Sequence, residues 1–195
     1  MAESRHSGTV RRSSRDAFID AAGRLLRRQG YAATGLNELV ASSGAPKGSL
    51  YFHFPGGKEE LALAAMERSG ERLRGAIAAI LTSTEDLGGA LGGLVDALAA
   101  GLQSSDYEDG CPIATVTLEA AGDSPAVRAT AASVFESWLA ELEARLLRAG
   151  LSAPLARRRA LLVLSAIEGA LIVARAKRDL APLHAVREEL VGLCA

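Results

Sequence analysis

Two short helical segments joined through a single glycine, between Thr34 and Phe54, restrict the possible folds of this chain more than any other feature of its sequence. Upstream of them Phe18, Ala21, Ala22, Leu25 and Leu26 follow the i, i+3, i+4, i+7, i+8 spacing of one buried helical stripe. Gly30 reads as the stop of that helix. Thr34 then stands where an N-cap belongs, ahead of a short helix carrying Leu36, Leu39 and Val40, and Gly44 ends it. Pro46 suits a first helical position, where its missing N–H leaves no helical bond unmade, and a second short helix runs from there to about Phe52. The segment His53-Phe54-Pro55-Gly56-Gly57 is a turn, and Lys58-Glu59 opens a long helix with Leu61, Ala64, Ala65 and Met66 inward. Short helix, glycine turn, short helix is the helix-turn-helix unit. A three-helix core of this kind fixes one exposed helix at an angle that fits a DNA major groove.

The remainder reads as helix as well. Segments from Asp86 to about Ser104, Ile113 to Ala121, Pro125 to about Arg148, Pro154 to about Arg178 and Leu183 to Leu193 carry helical periodicity, with an acidic loop between Ser104 and Pro112. No segment sustains the two-residue alternation of a half-buried strand, and aromatic residues make up only 4% of the chain. The expectation is an all-α protein: an N-terminal three-helix DNA-binding domain over residues 1–58 and a C-terminal helical ligand-binding and dimerisation domain over residues 59–195. At 195 residues, 49% of them apolar and 23% charged, the chain is long enough to bury a real core and is not disordered throughout. The apolar stretches nearest to membrane-span length are broken by Asp96 and Glu168. The opening residues lack the apolar core of a signal peptide. A cytoplasmic protein with no membrane partner is expected. Cys111 and Cys194 are too few for a disulfide framework or a cysteine-rich zinc module.

A formal net charge of −1 conceals an uneven distribution. Residues 1–58 hold nine basic and four acidic side chains, a net of +5, and the other residues a net of −6. Such a basic third reads either as a surface for a polyanion or as a solvated charged face. Arg24, Arg27 and Arg28 lie off the buried stripe, in the last turns of the first helix, where they also suit its negative dipole end. Arg11, Arg12 and Arg15 read either as a basic tail or as an arm that tracks the DNA backbone.

The run Ser43-Gly44-Ala45-Pro46-Lys47-Gly48-Ser49-Leu50-Tyr51-Phe52-His53-Phe54, followed by Lys58, Glu59 and Leu61, resembles the DNA-binding signature of the TetR (AcrR-like) family of bacterial repressors. Gly30-Tyr31 and Thr34 fit the same pattern, and the resemblance covers residues 15–65. Gly110-Cys111-Pro112-Ile113-Ala114, together with Pro55-Gly56-Gly57-Lys58, resembles the drug-responsive subgroup typified by the LmrA and YxaF repressors. The resemblance implies a homodimer that binds a palindromic double-stranded operator through its first three helices. It also implies release of the operator by a small-molecule effector held among the remaining helices. It assigns DNA contact to Thr34, Asn37, Lys47, Gly48, Ser49, Tyr51, His53 and Lys58, although Asn37 also reads as a solvent-exposed polar residue, Tyr51 as the edge of the small core and His53 as a cap. Lys47 and Ser49 can donate to guanine edges or phosphate, Asn37 can pair with adenine, and Gly48 has no side chain to hold the helix off the groove. Lys58 is assigned to phosphate, aided by the helix N-terminus beneath it. Gly35 departs from the family, which often places a hydroxyl residue there.

For the effector cavity the expected residues are Met66, Leu98, Leu102, Ile113, Val116, Phe135 and Trp138, although an apolar stripe at helical spacing also describes ordinary core. Glu119 and Glu168 interrupt apolar helices and read either as groups that orient an effector or as cap and interface hydrogen-bond partners. The helix Leu161–Val173 is apolar on nearly every side, and its small residues Ala166, Gly169, Ala170 and Val173 are expected at a dimer interface. No catalytic constellation is present. Gly57-Lys58 lacks the second glycine and the hydroxyl residue of a phosphate loop, no metal-binding histidine pair occurs, and no cofactor is implied. Asp106, Glu108 and Asp109 lack the glycine and terminal glutamate of a calcium hand. The rival to a ligand-responsive repressor is an all-α carrier of apolar ligands without sequence-specific DNA binding.

Overall fold

The stripe headed by Phe18 is the seed of the N-terminal core. In the computed structural model, which describes residues 13–192, helix α1 (Ser14–Ala33) buries Phe18, Ile19, Ala22 and Leu26. The Ser13 hydroxyl caps its N-terminus by accepting the Asp16 N–H. Helices α2 (Leu36–Ser43) and α3 (Lys47–His53) lay Leu39, Leu50 and Phe54 against that stripe, with Gly44 in the left-handed region at φ 67° between them. The rings of Phe18 and Phe54 meet edge to face, with centroids 6.4 Å apart. Arg11, Arg12, Leu193 and Cys194 lie outside the described residues.

Helix α4 (Gly57–Leu81) joins two cores. Its first turns give Leu61, Ala62, Ala65 and Met66 to the N-terminal cluster, which therefore does not stop at residue 58. It continues into α6 (Pro112–Ala120) through Ile113 and Val116, and into α7 (Pro125–Arg148) through Val127, Val134 and Trp138. The second cluster fills the space between α5 (Leu87–Ser104), the C-terminal half of α7, α8 (Ala153–Lys177) and α9 (Ala181–Gly192). A Cβ on Gly70 would lie 2.6 Å from Val134, so glycine there is what lets α4 and α7 approach closely. The Trp138 indole N–H donates to the Gly70 carbonyl at 2.9 Å across the same contact. No helix among the described residues is long and apolar enough to cross a membrane.

The end of α1 differs from the sequence expectation. Gly30 leaves helical geometry at φ 83°, but one further turn follows it to Ala33. Thr34 is the C-cap of that turn rather than the N-cap of α2. It is buried, and its hydroxyl donates to the Gly30 carbonyl at 2.6 Å. Gly35 takes the N-cap position of α2 without a side chain to offer. The cause is tertiary: the Glu119 carboxylate, from α6, accepts the Ala32 N–H at 2.7 Å and occupies the space that a Cβ on Gly30 would need.

Candidate nucleic-acid interface and effector cavity

Seven residues make up α3, and only Leu50 among them is buried. Lys47 and Gly48 are exposed, Tyr51 is 56% exposed and Phe52 is 81% exposed. Ser49 is half-buried and its hydroxyl donates to the Pro46 carbonyl at 2.7 Å. Asn37, on α2, accepts from the Lys47 ammonium at 3.4 Å, so two of the expected DNA contacts stand side by side. His53, half-buried, lies edge-on to both Phe52 and Phe54. The Lys58 ammonium sits 4.3 Å from the centre of the Tyr31 ring and 3.5 Å from the Ala32 carbonyl. The N-terminus of α4 carries its own anion, because Glu60 accepts the Gly56 N–H at 2.8 Å. The end of α4 beside Lys58 is therefore not a vacant helix N-terminus. Thr34, with its hydroxyl turned inward to Gly30, has none to offer. Sequence reasoning passed over Phe52, whose signal was its position next to Tyr51 on a helix with a single inward residue.

The basic residues of α1 have partners within the chain. Arg27 pairs with Asp109 at 2.9 Å and Arg28 with Glu108 at 2.6 Å, both in the acidic loop after α5. Arg24 donates to the Ser42 carbonyl at 3.2 Å. Gly110 N–H donates to the Arg27 carbonyl at 3.1 Å, and Arg175 of α8 donates to the Arg28 carbonyl at 2.7 Å. Much of the N-terminal positive charge thus fastens α1 to the rest of the molecule. Arg15 is exposed beside Phe54, with its guanidinium 5.5 Å from the ring centre. Asp106, in the same loop, pairs with Arg178 at 2.7 Å.

A cavity of about 490 Å³ lies among α1, α4, α5, α7, α8 and the start of α6. Of the residues expected to hold an effector, Leu98, Leu102 and Trp138 line it. Met66, Ile113 and Val116 do not; each is at most 1% exposed and packs into the N-terminal cluster instead. Phe135 packs beside that cluster and edge-on to Trp138, outside the cavity wall. Helical spacing told which face of these helices was inward but not which neighbour it met. Of the two acidic candidates, Glu119 caps the turn after Gly30 and Glu168 lines the cavity. Cys111 also lines it, and burial together with the nearby Glu168 carboxylate pushes its thiol well above the usual range.

Helix α8 presents an exposed apolar row of Leu161, Leu162, Ile172 and Val173, with Ser165 and Gly169 between them. Val173 and Gly169 of the expected interface are on this row. Ala170 is instead 6% exposed and packs within the chain's own core, and Ala166 is half-buried.

An outward helix set on a three-helix core, with a helical body behind it, is the architecture of a helix-turn-helix DNA-binding protein. Residues 18–65 match the family model of bacterial regulatory proteins of the tetR family, and residues 88–189 match that of the C-terminal domain of LmrA/YxaF-like transcriptional regulators. The chain is 34% identical to the uncharacterised HTH-type transcriptional regulator YxaF of Bacillus subtilis over 182 residues, covering 93% of this chain and 95% of that one. It is 32% identical to the HTH-type transcriptional regulator LmrA of the same organism over 170 residues, covering 87% and 90%. A TetR transcriptional regulator from Legionella pneumophila shares the fold with a TM-score of 0.84 at 19% identity, over 94% of this chain and 98% of that one. The chain belongs to the TetR family of transcriptional regulators, and its C-terminal domain is of the LmrA/YxaF-like kind.

Proposed function

We propose that the protein is a ligand-responsive repressor that binds a palindromic operator as a homodimer and releases it when a small, largely apolar inducer enters the cavity. In this reading residues 1–58 are the DNA-reading unit and residues 59–195 the effector and dimerisation unit. Lys47, Gly48, Ser49 and Tyr51 approach base edges, with Asn37, His53 and Lys58 at the flanks. Leu98, Leu102 and Trp138 hold the inducer, and Gly169 and Val173 belong to the subunit contact. The protein acts by binding and not by catalysis.

One observation carries the reading: the cavity and the reading head share a wall. Arg24 and Arg27 of α1 and Asp109 of the acidic loop line the cavity, and the Arg27–Asp109 pair ties the two units together at 2.9 Å. A ligand that displaces this wall displaces α1, on which α2 and α3 are packed. Differential affinity of the ligand for two placements of α1 is all that release requires. The test is a gel shift against the DNA upstream of the protein's own coding sequence, followed by a screen of apolar compounds for release. Retention of that DNA over unrelated DNA, and its loss with a compound, is the expected result. Equal affinity for both DNAs at low micromolar protein would favour the carrier instead.

A further inference from the structure

Phe52 is the most exposed large apolar side chain among the described residues, at 81%. It belongs to neither core cluster, and its ring meets His53 edge-on with centroids 5.0 Å apart. Packing inside the chain does not account for a phenyl ring in that place. Gly48, one turn earlier, raises the same question. Its backbone is not in the left-handed region, and a Cβ there would meet nothing within 4 Å. Glycine is a weaker helix former than alanine, so within the chain alone alanine would serve better.

The two residues share one face. Leu50 is the single buried residue of α3. At 3.6 residues per turn, Gly48 and Phe52 each stand about 160° around the axis from it. Lys47 and Tyr51 flank this face on one side, Ser49 and His53 on the other. The outward surface of α3 is thus bare and apolar along its middle and polar along both edges. A helix seated in a major groove turns its middle to the base edges and its flanks to the two phosphate backbones. The base edges there carry donors, acceptors and a single kind of apolar group, the C5-methyl of thymine. A phenyl ring set against a donor or acceptor would desolvate it without a bond, whereas against the methyl it loses nothing. Side chains on a helix lean towards its N-terminus, so the Phe52 ring lies over the turn that Gly48 leaves bare.

We propose that Phe52 reads the C5-methyl of one thymine in each operator half-site, and that Gly48 is the clearance that lets this base edge approach. The proposal rests on α3 entering the groove of a palindromic operator and adds which chemical group the middle of the helix selects.

The probe is the duplex that the full chain enriches most strongly from a random-sequence library. Each of its thymines is replaced in turn by deoxyuridine, which removes the methyl and nothing else. At one thymine per half-site the replacement should weaken binding by about fourfold, the effect of burying one methyl group. At the same position 5-methylcytosine should be preferred to cytosine by a similar factor. Phe52→Ala should weaken binding to the thymine duplex, keep the Tm, and make the deoxyuridine replacement there silent. Phe52→Leu keeps an apolar contact and should keep the dependence on the methyl. Gly48→Ala should hold or raise the Tm while weakening binding. The proposal is overturned if no thymine is sensitive in the wild type, or if the sensitivity persists undiminished in Phe52→Ala. Equal weakening of operator and unrelated DNA by Phe52→Ala overturns it as well, by making the ring a backbone contact. Unchanged affinity in Gly48→Ala would mean that no base edge comes close to this face, with the same consequence. Those results leave the repressor reading in place, since a duplex is still selected. If the library yields no enriched duplex, that reading falls and this proposal with it.

Discussion

Helices α3 and α8 both expose large apolar side chains, yet they differ in what surrounds those side chains. On α3, Tyr51 and Phe52 stand among Lys47, Ser49 and His53. On α8, Leu161, Leu162, Ile172 and Val173 have only Ser165 and Gly169 between them. A DNA groove offers phosphates, base-edge donors and acceptors, and thymine methyl groups, so a groove-facing helix needs charge, hydroxyl and ring together. A second copy of a leucine-rich face offers only apolar surface, and charge there would be desolvated without compensation. Exposed apolar area alone does not name a partner; the polar groups mixed into it do.

The comparison can be broken most sharply at α8. Ile172→Glu places a carboxylate in the middle of the aliphatic row, and the protein is expected to sediment as a monomer. Loss of one half-site from a two-site contact should lower operator affinity by about a hundredfold or more. A dimer of undiminished affinity would move the subunit contact to another surface. On α3 the expected effects are smaller. Lys47→Ala should weaken specific binding by about 1–3 kcal/mol and relax the preference at one base position. Phe52→Ala should also weaken operator binding while leaving Tm unchanged, since the ring is 81% exposed. Leu50→Ala, at 1% exposure on the same helix, should instead cost about 2–5 kcal/mol of stability. If Phe52→Ala lowers Tm as Leu50→Ala does, the outward placement of α3 is wrong.

What the sequence made legible was whatever depends on near neighbours. The period from Phe18 to Leu26 and the turn at Gly44 are local, and the fold keeps both. Thr34 was misplaced because the turn before it is set by Glu119, which accepts the N–H of Ala32 from 87 residues away. The arginines of α1 read as a free basic surface because their partners Glu108 and Asp109 are equally remote in sequence. Met66, Ile113 and Val116 are inward as their spacing implies, but two adjoining cores share these helices and periodicity cannot tell one from the other. In α8, apolar residues on every side hide which row faces the chain, so Ala170, expected at a subunit contact, packs in the chain's own core while Ile172 is exposed. Glu168 was conspicuous as a charge in an apolar run, and the fold gives that oddity a location in the cavity.

The smallest expected effect concerns Lys58, and it separates general attraction to DNA from sequence reading. Its ammonium is held by the Tyr31 ring at 4.3 Å and the Ala32 carbonyl at 3.5 Å, at the start of α4. A cation fixed there meets backbone rather than bases. Lys58→Ala should therefore weaken binding to operator and to unrelated DNA by the same factor. The slope of log affinity against log salt should become shallower by about 0.9, the release of one counterion. Lys58→Arg should restore the slope. If Lys58→Ala reduced operator binding alone, Lys58 would belong with Lys47 among the base-reading residues. If affinity stayed unchanged but Tm fell, its contact with Tyr31 would be structural and the charge available to phosphate would have to come from Arg15 and Lys47.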